Sequence, residues 1–256
     1  MPPSTPQEEQ QAQREYYKQT AEAYDQLHTE VYDEHHLALE YLAGLLPALG
    51  VTSALDVGCG TGRAMLGLDQ TCPTVKTEGI EPVDSLIEIA QKTHGLSGDR
   101  LRVGSGDDLP YDDDAFDATM QFGVLHHVPD PSKVVAEMTR VARRVVILSD
   151  TNRFGQGRPW VRWIKLGLGK ARLWKLYDRI RTGGKGYMES EADGLWYSYS
   201  VYDSYRQLGR WADRVIAVPI QVPKPRSHSW LGPLIDSSHV MLIAIRDRPA
   251  PHQSVS

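Results

Sequence analysis

The stretch that most constrains the fold is Ala54-Leu55-Asp56-Val57-Gly58-Cys59-Gly60-Thr61-Gly62, a short apolar run that stops in a cluster of glycines. From Arg63 to Leu68 the apolar residues recur at helical spacing. A strand that ends in glycines and opens a helix offers backbone N–H groups and a positive dipole end to a ligand. Glycine suits such a turn because the backbone takes unusual angles and the ligand approaches where a Cβ would stand. The spacing here is GxGxG, and Arg63 occupies the position of the third glycine of a dinucleotide fingerprint. Asp56, two residues before the first glycine, would repel a diphosphate and favours a cationic ligand. Glu81 follows about 20 residues beyond the loop, where a doubly wound fold places a carboxylate that accepts from ribose hydroxyls. Glu81 therefore points to an adenosine-containing ligand without choosing among such ligands.

The rest of the chain alternates in the same way. Val75–Glu81, Leu101–Gly104, Phe116–Phe122 and Val145–Ser149 read as further strands. Pro82–Lys92 and Asp130–Ala142 read as helices between them, and Arg214–Gln221 and His239–Arg246 as two late strands. Strand–helix alternation predicts right-handed crossovers and an α/β, doubly wound, mostly parallel sheet. From Glu15 to Leu49, residues such as Tyr16, Tyr24, Leu27, Val31, Leu37 and Tyr41 recur at helical intervals and predict helices across the front of the domain. Residues 1–14 read as a disordered tail, 15–150 as front helices and core, 151–212 as an insertion with its own structure, 213–247 as the final strands, and 248–256 as a second tail.

Composition narrows the function. Of 256 residues, 41% are hydrophobic and 24% charged, enough for a real core. The net charge of -5 gives no global attraction to nucleic acid or to an anionic membrane. Cys59 and Cys72 form no disulfide framework and no CxxC metal pair. Met1–Gln13 lacks an apolar signal core, and no run of about 18 apolar residues exists to span a bilayer, so a cytoplasmic protein is expected. His35 and His36, beside Asp33 and Glu34, read as a solvated face, and no metal is expected.

The motifs taken together resemble one family. Asp-Val-Gly-Cys-Gly-Thr-Gly at 56–62, Gly-Ile-Glu-Pro at 79–82, Asp107-Asp108-Leu109-Pro110-Tyr111, Phe116-Asp117, and Val124-Leu125-His126-His127-Val128-Pro129-Asp130-Pro131 are similar to the class I S-adenosylmethionine-dependent methyltransferases. Within these the chain resembles the group that methylates ubiquinone and menaquinone precursors. The likeness covers roughly residues 54–150. It implies a Rossmann-like seven-stranded sheet with a reversed seventh strand, to which the helical spacing outside the match adds N-terminal helices and a helical cap insertion after strand five. It also implies S-adenosyl-L-methionine as methyl donor and S-adenosyl-L-homocysteine as product. By that resemblance Asp56, Gly58, Cys59 and Gly60 hold the methionine end of the donor, and Glu81 and Pro82 its ribose. Ser105, Gly106 and Asp107 meet the adenine, with Ser105 standing where the family commonly has Asp. Gln121 and Phe122 line the sulfonium pocket.

The acceptor is less constrained. A proton acceptor is sought among His28, His35, His36, Tyr16, Tyr24, His126 and Asp150, with His28, His36, Tyr24 and His126 foremost. Asp150, Asn152, Arg153 and Trp160 are candidate substrate contacts, and the partner expected is a small-molecule acceptor. The Asn/Asp-Pro-Pro-Tyr/Phe tetrad of amino-group methylation is absent, and Gln121-Phe122-Gly123-Val124 stands in its place, which favours an oxygen or carbon acceptor. A nicotinamide oxidoreductase would want glycine at position 63. An adaptor that had lost the donor would show a broken glycine loop.

Residues 158–185 interleave nine Lys and Arg with Trp160, Trp163, Ile164, Trp174, Tyr177 and Ile180, against the single acid Asp178. The plain reading is an amphipathic cap helix whose apolar face covers the active site. The sharper readings are an electropositive lid for an anionic or lipid-linked acceptor, a surface that touches membrane, or methylation of a macromolecule. The chain's overall acidity argues against nucleic acid.

Overall fold

The computed structural model describes residues 5–21, 32–190, 194–221 and 237–247. Two front helices, α1 (Pro6–Thr20) and α2 (Glu34–Ala48), precede the core. Then follow β1 (Ser53–Val57), α3 (Arg63–Thr71), β2 (Lys76–Glu81), α4 (Asp84–Lys92), β3 (Leu101–Val103), β4 (Phe116–Phe122), α5 (Pro131–Val141) and β5 (Ala142–Thr151). The insertion holds α6 (Pro159–Lys170), α7 (Trp174–Arg181), β6 (Tyr187–Ser190) and β7 (Gly194–Tyr197). It leads through α8 (Tyr205–Trp211) to β8 (Arg214–Ile220) and β9 (His239–Ile245).

Among the described residues seven strands form one sheet in the order β3-β2-β1-β4-β5-β9-β8. β9 runs antiparallel to both of its neighbours and the other pairings are parallel. This is the doubly wound, mostly parallel arrangement with a reversed strand that the alternation and the resemblance implied. The central strands are covered on both faces, which explains their near-continuous apolar runs. Leu55, Val57, Val146 and Leu148 meet α5 residues such as Val135 and Met138 on one face. Ala54, Met120, Val145 and Ile147 meet Leu42, Leu46, Ala64 and Leu68 of α2 and α3 on the other. Asp117 pins the start of β4 to β1, because its carboxylate accepts from the Thr52 N–H at 2.9 Å and the Thr52 hydroxyl at 2.7 Å.

Two expectations need correction. Residues 6–14, read as tail, are the first half of α1. Thr5 and Glu8 form a reciprocal capping box with Pro6 in the first turn, and these satisfy the helix's first N–H groups. In the cap, α6 and α7 bury none of their residues. Trp160, Trp163 and Ile164 of α6 lie on the outer face, as do Leu176, Tyr177 and Ile180 of α7. Lys165, Arg172, Trp174, Lys175, Asp178 and Arg181 border the hollows beneath. The cap therefore divides its apolar residues, with Val161, Leu166, Leu168 and Trp174 half-buried and the larger stripe outside. A two-stranded hairpin, β6–β7, completes the insertion. It escaped the sequence reading because its strands have four residues each.

Ile147 is fully buried between Met120 of β4 and Ile243 of β9. Ile147→Ala should lower unfolding free energy by about 2–5 kcal/mol, the cost of lost contacts plus a cavity, as read from denaturant melts.

Candidate active site

All the parallel strands aim their carboxyl ends at one edge of the sheet, where open α/β folds bind ligands. A cavity at this edge is walled by Val57 and Gly58 of the glycine loop, Glu81, Pro82 and Val83 after β2, Ser105–Asp107 after β3, and Phe122–Val124 after β4. Leu86 and Val134 add apolar walls. Gly58 has φ +75°, and a Cβ there would stand 2.6 Å from Val124, so the turn excludes any larger residue. Apolar walls beside a short polar edge at Ser105–Asp107, with a carboxylate farther along, fit a nucleoside with a ribose. The residues present therefore suit an adenosine-type ligand.

Glu81 is the organising group. Its carboxylate accepts from the Gly60 N–H at 3.0 Å and the Val83 N–H at 3.1 Å, and it still lines the cavity. Burial pushes its pKa up to about 7, against the lowering by those two N–H groups and by Arg14. Burial likewise pushes Asp56 to about 7, with Arg63 opposing and Glu81 reinforcing the rise. Asp56 does not line the cavity, and it lies buried beneath the loop. Gly60 spends its N–H on Glu81, and the Cys59 thiol is buried, within 2.7 Å of where a Cβ on Gly79 would stand. Gln121 is turned inward as well. Its Oε1 accepts from the Val124 N–H at 2.9 Å, and it holds the turn after β4, while Phe122 reaches the cavity. Of the sequence-predicted donor contacts, Gly58, Glu81, Pro82, Ser105, Gly106, Asp107 and Phe122 are brought together. Asp56, Cys59, Gly60 and Gln121 support them from behind.

The fourth wall comes from α1, which the sequence reading missed. Gln10, Gln13, Arg14 and Tyr17 face the cavity. Gln10 donates to Asp107 at 3.3 Å, and Gln13 accepts from the Leu195 N–H at 2.6 Å. Tyr17 contacts His127 Nε2 at 3.2 Å, while His127 Nδ1 lies 2.7 Å from the Leu195 carbonyl. A carbonyl only accepts, so Nδ1 carries the proton and Nε2 takes the tyrosine hydroxyl's hydrogen. The signal was present in Thr5-Pro6-Gln7-Glu8, a helix start in a polar stretch.

On the other side of the Leu125–His127 turn lies His126. Its Nδ1 is 2.8 Å from Asp150, which also accepts from the Leu125 N–H at 2.9 Å and the Thr151 N–H. Burial raises the Asp150 pKa, but His126 and the hydrogen bonds outweigh it and hold the carboxyl below the usual range. Asp150 is fully buried, and its carboxylate is taken up by His126 and the two backbone N–H groups. Asn152 is also buried and serves the backbone, donating to Ser237 O at 3.0 Å and accepting from Phe154 N at 3.1 Å. Arg153 lies beneath the cap, donating to Ser198 O at 2.9 Å and pairing with Asp203. Its guanidinium sits 5.0 Å from the Trp174 ring centre. Together with His126, Thr151, Lys165, Trp174 and Trp196 it lines a small chamber.

Trp160 stands apart on the surface, 61% exposed. His36 is committed to the start of α2, where its Nδ1 lies 3.0 Å from Asp33. His35 packs edge-on against Phe122 and His239, and burial, aided by Arg63, pushes its pKa down to about 3. Tyr24 and His28 lie outside the described residues. Among the described residues no group of three or more His, Cys, Asp or Glu is arranged to hold a metal ion.

Asp56 and Glu81 titrate near 7 when folded and near 4 when unfolded. Their protonated forms thus favour the fold fully below about pH 4, and that contribution is lost as pH rises through about 7. The depressed histidines His35 and His239 act in the opposite sense but are spent above about 6.5, their ordinary value. The melting temperature of ligand-free protein should therefore fall between about pH 6.5 and pH 8, and Asp56→Asn should flatten that slope in thermal melts.

Comparison with known proteins agrees with this geometry. A family model described as a methyltransferase domain matches residues 55–148. Demethylmenaquinone methyltransferase of Staphylococcus aureus strain JH9 is 32% identical over 133 residues, 50% of this chain and 54% of that protein. The chain thus spans about half the length of the curated relatives it matches. Among solved structures, magnesium protoporphyrin IX methyltransferase from Synechocystis PCC 6803 with bound SAM shares the fold at TM-score 0.61 and 15% identity, covering 93% of this chain and 97% of that one. The 1,6-didemethyltoxoflavin-N1-methyltransferase of Burkholderia thailandensis, with S-adenosylhomocysteine, aligns at TM-score 0.60 and 16% identity over 96% and 92% of the two chains. Residues 55–148 thus match a methyltransferase domain and resemble a demethylmenaquinone methyltransferase, and the chain as a whole shares the fold of S-adenosylmethionine-dependent methyltransferases.

Proposed function

We propose that this protein transfers a methyl group from S-adenosylmethionine to an oxygen or carbon atom of a small-molecule acceptor, with His126 taking the acceptor's proton. The observation that carries the proposal is the His126–Asp150 pair, 2.8 Å long, at the carboxyl edge of the sheet. S-Adenosylmethionine supplies, when bound, a methyl carbon already activated by its sulfonium. The chain's own work is then to bind, orient and keep water out, which lowers the barrier largely by proximity. Glu81 and the Ser105–Asp107 edge hold the nucleoside part of the donor, and Gly58 and Phe122 border the rest. α1 closes that side through Gln10, Gln13 and Tyr17.

Asp150 sets the chemistry of His126. Its ionised carboxylate keeps the histidine proton on Nδ1 and leaves Nε2 to accept one. The same charge stabilises the imidazolium that forms when the acceptor is deprotonated. A hydroxyl or an acidic carbon needs such a base, whereas an amine acceptor commonly does not, and this favours oxygen or carbon. The chamber beside His126 sets the acceptor class. Trp174, Trp196 and Tyr199 give it flat walls, and Arg153 and Lys165 give it positive charge. Arg153 Nε is buried with no hydrogen-bond partner among the described residues, a donor that an acceptor oxygen would satisfy. A ring bearing hydroxyl or anionic oxygens suits these walls.

Calorimetric titration with S-adenosylhomocysteine should give micromolar binding, weakened at least tenfold by Glu81→Ala, which removes the ribose contact and frees the Gly60 loop. A folded protein that takes up no S-adenosylhomocysteine would sink the proposal. With labelled donor and a panel of hydroxylated aromatic acceptors, His126→Ala should cut turnover by about a hundredfold or more while S-adenosylhomocysteine affinity holds. Undiminished turnover in that variant would remove His126 from the mechanism and leave the donor site standing.

A further inference from the structure

Both cap helices leave a large apolar stripe exposed on the outside. Trp160, Trp163 and Ile164 recur at the spacing of one helical face of α6, and they are 61%, 49% and 52% exposed. On α7 the corresponding face carries Leu173 just before the helix, then Leu176, Tyr177 and Ile180, and Ile180 is 73% exposed. A surface helix of a monomeric soluble protein turns such a stripe toward its own core. Here the less exposed side holds Val161, Leu166 and Leu168, half-buried, beside the Lys165, Asp178 and Arg181 that line the hollows of the cap. Exposed apolar stripes of this size, on two helices that pack together, mark an interaction site.

The charge around the stripe identifies what it meets. Residues 158–185 carry nine cations and one carboxylate, while the whole chain stands at -5. The body behind the cap is therefore acidic and the cap alone is basic. Arg158, Lys170, Arg172, Lys175, Arg179 and Lys185 are all exposed alongside the apolar residues. Asp178, the one acid, is turned inward and paired with Arg181 at 3.0 Å. Exposed aromatic and aliphatic side chains bordered by Lys and Arg are what an interfacial helix offers to a bilayer, with its apolar face among the acyl chains and its cations at anionic headgroups. Nucleic acid would use the cations and the tryptophan rings but has no place for Ile164, Leu176 and Ile180.

We propose that α6 and α7 dock the protein peripherally on membranes that contain anionic lipid, with the acidic body held away from the surface. This docking is independent of the methyl-transfer reading, since its residues line neither the cavity at Glu81 nor the chamber beside His126, although Arg172 and Lys175 also border the hollow under the cap. It agrees with there being no helix among the described residues long and apolar enough to cross a membrane.

The test is co-sedimentation of the full chain with vesicles of phosphatidylcholine alone and of phosphatidylcholine mixed with phosphatidylglycerol. Binding to the mixed vesicles should exceed binding to the neutral ones by about tenfold or more and fall with added salt. The double variant Trp160→Ser with Ile180→Ser should lose about tenfold in partitioning, and Lys175→Glu with Arg179→Glu should lose binding to the mixed vesicles. Unchanged circular dichroism and S-adenosylhomocysteine affinity in both variants certify that the fold is intact. Failure to sediment with either vesicle would overturn the proposal, as would sedimentation indifferent to the paired serine substitutions. Concentration-dependent self-association abolished by those substitutions, without vesicle binding, would assign the face to a second copy of the chain instead. A protein that docks yet binds no S-adenosylhomocysteine would leave this inference intact and remove the enzymatic one.

Discussion

A parallel sheet covered on both faces must still satisfy the backbone where its strands end, and here two buried carboxylates do so. Glu81 ends β2 and gathers the N–H groups of Gly60 and Val83, and Asp150, near the end of β5, gathers those of Leu125 and Thr151. Each therefore fixes a loop at the carboxyl edge, the first the glycine turn and the second the turn that bears His126 and His127. Their environments push them apart. Two neutral N–H groups do not offset the burial of Glu81, whose pKa rises to about 7. Asp150 has the His126 ring as well, and its pKa falls. One carboxylate is thus poised to respond to a ligand, and the other stays charged to serve its histidine.

Closure of the site is largely polar. α1 is poor in apolar residues, yet Gln10, Gln13 and Tyr17 reach across the cavity to Asp107, Leu195 and His127. The Tyr197 hydroxyl adds a donor to Glu9 at 2.7 Å, so the β6–β7 hairpin and α1 hold one another over the edge. Such a cover relies on hydrogen bonds that net about 1 kcal/mol each, and it opens more readily than an apolar lid. The cap makes the complementary choice. It turns Lys165, Arg181 and Trp174 to the chamber beside His126, and it leaves its larger apolar stripe and most of its cations outside.

The sheet was legible because its causes are local. β1 with its glycine loop, β4 with its seven residues and the reversed β9 each announce themselves through apolar runs and turn residues. The cavity at the carboxyl edge was legible where a backbone position or a strand end defines it, as with Gly58, Glu81 and Ser105–Asp107. It was illegible where two side chains of similar chemistry divide the work. Asp56 and Gln121 have the composition of contacts but are turned inward, since β1 and β4 lie in the middle of the sheet and present alternate residues to its buried faces.

His126 emerged from a field of seven candidate bases only when β5 brought Asp150 to its ring. Asn152 and Trp160 lost their candidacy by the same route, one absorbed by the backbone of Ser237 and the other facing away from the core. By itself the sequence determined the fold, the glycine turn and the carboxylate that ends β2, since these follow from periodicity and from what backbone geometry demands of single residues. Only the tertiary structure decided which carboxylate faces a cavity, which histidine has a partner, and which way the amphipathic cap turns. Those outcomes depend on contacts between residues far apart in the chain, and a helical stripe carries no mark of which side the core will lie on.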